Sequence, residues 1–232
     1  MNKNKTLSRF LFIFFICSFV FMNNIHSQSS QKNWGIRLGL NAVSIKTYEA
    51  YYAGEILTNY SYFNKNGYLL TGFARFNFNR FFLQPEIAWN EYRRSCSFSL
   101  PIDNSVSYYP AIDLDINSKL INSSFLTGYN IVNSYPFLFG MFFGSSLTGT
   151  YRTDYTMEKD NSFSKTGLFL NYSAILGFSI NISKIYFDLR YEMCLPNANL
   201  NLRDIPGFPE NYQNVSLKKT EAILSFSFGV MF

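Results

Sequence analysis

Histidine is almost absent from this chain: among 232 residues only His26 carries an imidazole. His26 falls in a stretch that reads as a cleaved export leader, which leaves the mature protein with none. Envelope hydrolases and acyltransferases rely on a histidine to activate a serine or a water. Without one, the standard routes to that chemistry are closed. Cysteine is nearly as scarce. Cys17 lies in the same leader, and Cys96 and Cys194 remain, too few for a disulfide framework or a Cys/His metal site. Asp113 and Asp115 are alternate carboxylates and read as solvated charges or a loose cation site. No cofactor is expected.

Long hydrophobic runs are missing as well. Phe10 to Phe21 spans twelve residues, interrupted by Cys17 and Ser18, too short to cross a bilayer as a helix. Lys3, Lys5 and Arg9 precede it and Ile25-His26-Ser27 follows it, a secretory signal pattern with the cut after Ser27. Phe15-Ile16 stand before Cys17 where a lipidation signal wants small residues. The expected organisation is a signal peptide over 1–27 and one domain over 28–232. No later stretch approaches the eighteen apolar residues of a membrane helix.

Strong charge is lacking too. The whole chain has a net charge of +5, but the leader holds three of its twenty basic residues and none of its fifteen acidic ones. The remaining balance is about +2, with no basic stripe, which excludes a nucleic-acid partner.

What is abundant is aromatic side chains, 19% of the sequence, set in period-two patterns. From Ala222 to Phe232 every second residue is apolar: Ala222, Leu224, Phe226, Phe228, Val230, Phe232. Period two marks a strand with one oily face, and about ten such residues match a transmembrane β-strand. Phe226, Phe228, Val230 and Phe232 are accordingly read as a C-terminal insertion signal for the barrel-assembly machinery. Similar segments recur over 33–44, 68–78, 81–92, 118–130, 136–149, 167–181 and 185–194. The gaps between them alternate. Those at 45–67, 93–117, 150–166 and 195–216 are long and polar, and those at 79–80, 131–135 and 182–184 are short. This alternation predicts an all-β fold, an eight-stranded antiparallel transmembrane β-barrel with long external loops and short periplasmic turns.

Face by face, one phase of each strand suits lipid and the other is small, polar or charged. Ile185, Phe187, Leu189, Tyr191 and Met193 alternate with Tyr186, Asp188, Arg190 and Glu192. A lipocalin-like soluble barrel would reverse the two faces. Six ionisable residues fall on the inner phase: Arg37, Arg75, Glu86, Asp188, Arg190 and Glu192. They sum to zero charge, and the expectation is a plug of crossed salt bridges in a lumen narrow enough for side chains to fill. Aromatic girdles are expected from Trp34, Phe81, Tyr129, Phe137, Tyr186 and Phe232 at the periplasmic side. Trp89, Tyr92, Tyr151 and Tyr191 would form the external one. Pro85 cannot donate to a ladder and predicts a local bulge. Cys96 and Cys194 lie at or beyond the external ends of their strands. A disulfide between them and two separate thiols both remain open.

Four pieces then carry a resemblance: Gly35-Ile-Arg-Leu-Gly-Leu-Asn41, Leu83-Gln-Pro-Glu86, Asn171-Tyr-Ser-Ala-Ile-Leu-Gly177 and Asp188-Leu-Arg-Tyr191. In this order the chain resembles the PorT-like outer-membrane β-barrel proteins, whose architecture is like that of OmpX or the OmpA membrane domain. The family's Leu-x-Ile-Pro segment in strand four is replaced here by Leu120-Ile-Asn-Ser123. The resemblance implies the fold and a bacterial outer-membrane location. It does not imply one biochemical activity; the name-giving member is a component of a protein secretion and gliding apparatus.

The function expected is a non-enzymatic barrel with a structural, adhesive or envelope-complex role. Its partners would be outer-membrane lipid, the barrel-insertion machinery and envelope or secretion-complex proteins. A lipid-modifying enzyme and a small passive pore are the alternatives.

Overall fold

The computed structural model describes residues 32–57, 60–99, 111–134, 136–157, 161–195, 198–206 and 214–232. The expected signal peptide, with His26 and Cys17, lies outside them. Among the described residues eleven strands are present: β1 (Lys32–Tyr52), β2 (Glu55–Ile56), β3 (Tyr60–Asn64), β4 (Asn66–Phe78), β5 (Phe81–Phe98), β6 (Ile112–Ser134), β7 (Phe137–Met157), β8 (Asn161–Ile182), β9 (Ile185–Cys194), β10 (Ala198–Asn201) and β11 (Val215–Met231).

Eight of these form a ring in the order β1-β4-β5-β6-β7-β8-β9-β11, each antiparallel to its neighbours. β11 returns to β1, with Gly35 opposite Met231 and Tyr52 opposite Val215. Closure satisfies the backbone of every strand without an edge, the condition for a sheet that lies in lipid. The remaining strands β2, β3 and β10 extend the far rim, pairing with β1, β5 and β11. Two tight turns place Asn79 and Ser183 at φ 57°, the left-handed conformation that two-residue hairpins demand. These turns share one end of the ring with the first residues of β1 and the last of β11, the periplasmic end.

The outward face follows the expected phase. Ile36, Leu38, Leu40, Ile87, Phe143, Leu176, Phe226 and Phe228 are all exposed, an apolar belt whose only suitable neighbour is acyl chain. The girdles are partly as expected. Trp34 stacks on Phe232 with ring centroids 4.5 Å apart, and Phe81 meets Tyr129 edge-on at 5.1 Å. On the external side Trp89 Nε1 donates to the Tyr151 hydroxyl at 3.0 Å. Tyr186 and Tyr92 depart from the expectation. Both are buried in the lumen, because they fall on the inward phase of β9 and β5.

The long external loops are a second correction. β5 and β6 continue as a paired ladder out to Phe98 opposite Ile112, and β7 and β8 out to Met157 opposite Asn161. Much of the expected loop sequence is therefore strand. The reason is an inversion of the two faces. Along β5 the outward residues run Phe81, Leu83, Pro85, Ile87, Trp89, then Glu91, Arg93, Ser95, Ser97. The inward residues run Phe82, Gln84, Glu86, Ala88, Asn90, then Tyr92, Arg94, Cys96, Phe98. Beyond Trp89 the inward phase is mostly apolar around the Arg94–Glu221 pair and the outward phase is polar, the sense of a water-soluble barrel. Alternation continues, so pairing continues.

Pro85 produces no bulge. Phe73 opposite Glu86 and Phe76 opposite Leu83 keep a single register, while Ala74 and Arg75 between them form no pair with β5. The missing N–H opens the ladder there without inserting a residue. The divergent segment Leu120–Ser123 lies inside the unbroken β6. It pairs on both sides, with a register shift on the β7 side between Lys119 and Leu120.

Candidate functional site

Strand tilt brings inward residues of β1, β5 and β9 to one level, where Arg37, Glu86, Asp188 and Arg190 meet. Arg37 Nη1 and Nη2 donate to the two oxygens of Glu86 at 2.9 and 2.8 Å, and Nη1 also reaches Asp188 Oδ2 at 3.0 Å. Arg190 donates to Asp188 through Nε at 2.8 Å and Nη2 at 2.6 Å, and to Glu86 Oε2 through Nη1 at 2.9 Å. Gln84 Nε2 adds a bond to Glu86 Oε1 at 2.7 Å, and the Tyr186 hydroxyl donates to Asp188 Oδ2 at 3.2 Å. All four carboxylate oxygens are taken. Charge-assisted bidentate pairing of this kind is the strongest available in a narrow lumen.

All six inward charges of the sequence reading are buried, but the structure brings only four of them together. Arg75 instead donates to Asn130 Oδ1 at 2.8 Å and to Asn77 Oδ1 at 3.3 Å, with its guanidinium 3.6 Å from the centre of the Phe82 ring. Glu192 lies two inward positions beyond Asp188 on β9 and accepts from the Ser146 hydroxyl at 2.8 Å. The crossed plug therefore has four members, since among the described residues Arg75 and Glu192 form no ion pair.

Apolar side chains close the space above and below. Toward the periplasm Phe82, Leu126, Phe142 and Ile175 form one cluster and Phe73, Tyr186 and Met231 another. The wall makes room for these rings at glycine: a Cβ on Gly128 would run into Phe82. Above the charges come Val43, Tyr92, Leu120 and Ile223. Farther out, Cys96, Phe98, Ile112, Leu114, Tyr155 and Met157 pack against Leu202 and Ile205. Leu202 opens a 3-10 turn over Leu202–Asp204, and Ile205 follows it; the turn folds into the mouth as a cap. Sequence reading missed this upper core because its apolar phase is opposite to that of the membrane belt.

Cys96 and Cys194 are not joined by a disulfide. Cys96 belongs to the upper core and Cys194 packs against the layer beneath it, so the two sit at different heights on strands from different parts of the ring. On the external surface Asp115 accepts from Lys65 Nζ at 2.8 Å and from the Ser95 hydroxyl at 2.5 Å. Partial burial pushes its carboxyl upward, and these two donors outweigh it and hold it below the usual carboxylate range. Arg94 and Glu221 form an ion pair inside the external rim. Phe226, Phe228, Val230 and Phe232 face outward in the belt. Among the described residues no group of three His, Cys, Asp or Glu side chains converges as a metal site would require.

The sequence of the outer membrane protein beta-barrel domain family matches residues 26–198. Among solved structures the chain is similar to the outer membrane protein OprG from Pseudomonas aeruginosa. That likeness has 12% identity and a TM-score of 0.54, covering 88% of this chain and 97% of OprG. Ail, the attachment invasion locus protein of Yersinia pestis, is matched at 14% identity and a TM-score of 0.39 over 87% of this chain and 99% of Ail. Neisserial surface protein A is matched at 11% identity and a TM-score of 0.39 over 85% of this chain and 98% of that one. No curated protein matches in sequence. The likeness to OprG is one of fold.

Proposed function

Because the chain belongs to the outer membrane protein beta-barrel domain family and is an integral outer-membrane barrel, we propose that it works as a sealed, non-enzymatic wall that holds up an external binding surface. What supports this is the occupied lumen. A saturated network of two arginines and two carboxylates lies across it, and an apolar core capped by Leu202 and Ile205 fills the mouth. A channel would need that space.

The strands carry their ladder beyond the membrane belt, so the external surface is a rigid extension of the barrel with polar residues outward. Such a surface suits adhesion, or a docking role in an envelope complex of the secretion type to which the name-giving PorT-like member belongs. Partners would be outer-membrane lipid around the belt and envelope proteins at the rim. During assembly the insertion machinery would read Phe226, Phe228, Val230 and Phe232, and residues 1–27 would direct export.

Reconstitution into planar bilayers tests the sealed wall: no steady conductance is expected, and stable open channels would overturn it. Affinity purification from detergent-solubilised envelopes tests the partner role. Stoichiometric secretion components are expected for the complex, and purification of the barrel alone favours adhesion.

A further inference from the structure

Arg75 is a buried cation that forms no ion pair among the described residues. The residue is 1% exposed, and its contacts are all neutral: the amide oxygens of Asn130 and Asn77 and the face of Phe82. Nη1 has no acceptor among the described residues. The hydrogen bonds to Glu86 and Asp188 come from Arg37, Arg190, Gln84 and Tyr186, and Arg75 donates to neither. Among the described residues Glu192 is the next acidic side chain along β9, two inward positions farther from the periplasmic turn than Asp188. The turns themselves carry Arg80 and Lys184. The periplasmic half of the lumen thus holds three arginines against two carboxylates.

An ionised group withdrawn from water needs a counter-charge, not only hydrogen-bond partners. A water at Nη1 would satisfy the donor and leave the charge unbalanced. The Phe82 face offsets part of it, as a cation–π contact does, but carries no net charge. The geometry points to a small, singly charged anion of halide type bound at Nη1 of Arg75. One negative charge neutralises the cluster. The size limit follows from burial, since Arg75, Asn130 and Phe82 are each at most 1% exposed. Two strands from Asn130 and in register with it, the buried Ser179 hydroxyl also has no partner among the described residues.

A ligand that binds only the folded barrel raises its unfolding midpoint by mass action. Wild type in detergent, at constant ionic strength made up with gluconate, should gain several degrees as bromide replaces gluconate, and Arg75→Met should not. Crystals grown in bromide should show one anomalous peak beside Arg75 Nη1. A midpoint indifferent to bromide overturns the site, as does an equal response in both proteins. Should Arg75→Met fail to fold, the wild-type crystal decides, and a lumen without a bromide peak rejects the proposal.

Discussion

Arg37 and Glu86 face each other across the lumen through two parallel hydrogen bonds of 2.9 and 2.8 Å, joining β1 to β5, which are not neighbours in the ring. Arg190 reaches the same carboxylate from β9, so Glu86 ties three strands of the ring together. Removing Glu86 would leave two buried guanidiniums with Asp188 as their one carboxylate.

Glu86→Ala should therefore destabilise the barrel by about 3–5 kcal/mol, the typical cost of breaking a buried ion pair from one side. Urea unfolding in lipid vesicles, compared with wild type, measures it. The double variant Arg37→Met/Glu86→Leu should lose less than the single one, because no unpaired ion is left between them. An equal loss would mean the network contributes only packing.

The position of the membrane belt is testable at two outward sites. Phe226→Arg places a cation against acyl chain and should cost about 2–4 kcal/mol if it sits near the bilayer midplane. Asp113→Arg, outward on β6 but beyond the belt, should change stability by less than about 0.5 kcal/mol, as surface substitutions do. Folding yield and unfolding midpoints in vesicles separate the two.

The cap over the mouth should be separable from the transmembrane ring. Leu202 is fully buried among Phe98, Leu114 and Met157, and Leu202→Ala should cost the upper core about 2–5 kcal/mol. Hydrogen exchange should quicken at the outer ends of β5, β6 and β7. Amides level with Glu86 and Asp188 should keep their protection.

Cys96 and Cys194 should stay as two thiols under non-reducing conditions, since they belong to different packed layers. Intact mass before and after reduction, with alkylation in denaturant, counts them. A mass deficit of two hydrogens before reduction would contradict the arrangement.

Much of this fold was legible residue by residue. Period two along Ile185–Met193 and Ala222–Phe232 marks which face meets lipid, and the inward positions of Arg37, Glu86, Asp188 and Arg190 follow from the same count. The upper half was harder to see. From Glu91 on β5, alternation persists with its polarity reversed, and a scan for apolar-outward strands stops at Trp89. Tyr92 and Tyr186 were assigned to the girdles for a related reason. Tyrosine suits both an interface and a wet lumen, and only its phase on the strand separates the two.

Hydrophobic phase is a local property of the chain, and it alone determined that eight segments cross a membrane with their charges turned inward. Which of those charges touch was decided by tertiary structure, because the tilt and stagger of the closed ring set the heights at which β1, β5 and β9 present their side chains. Four charges came level and saturated one another. Arg75 and Glu192, on the same inward faces, were left at levels of their own.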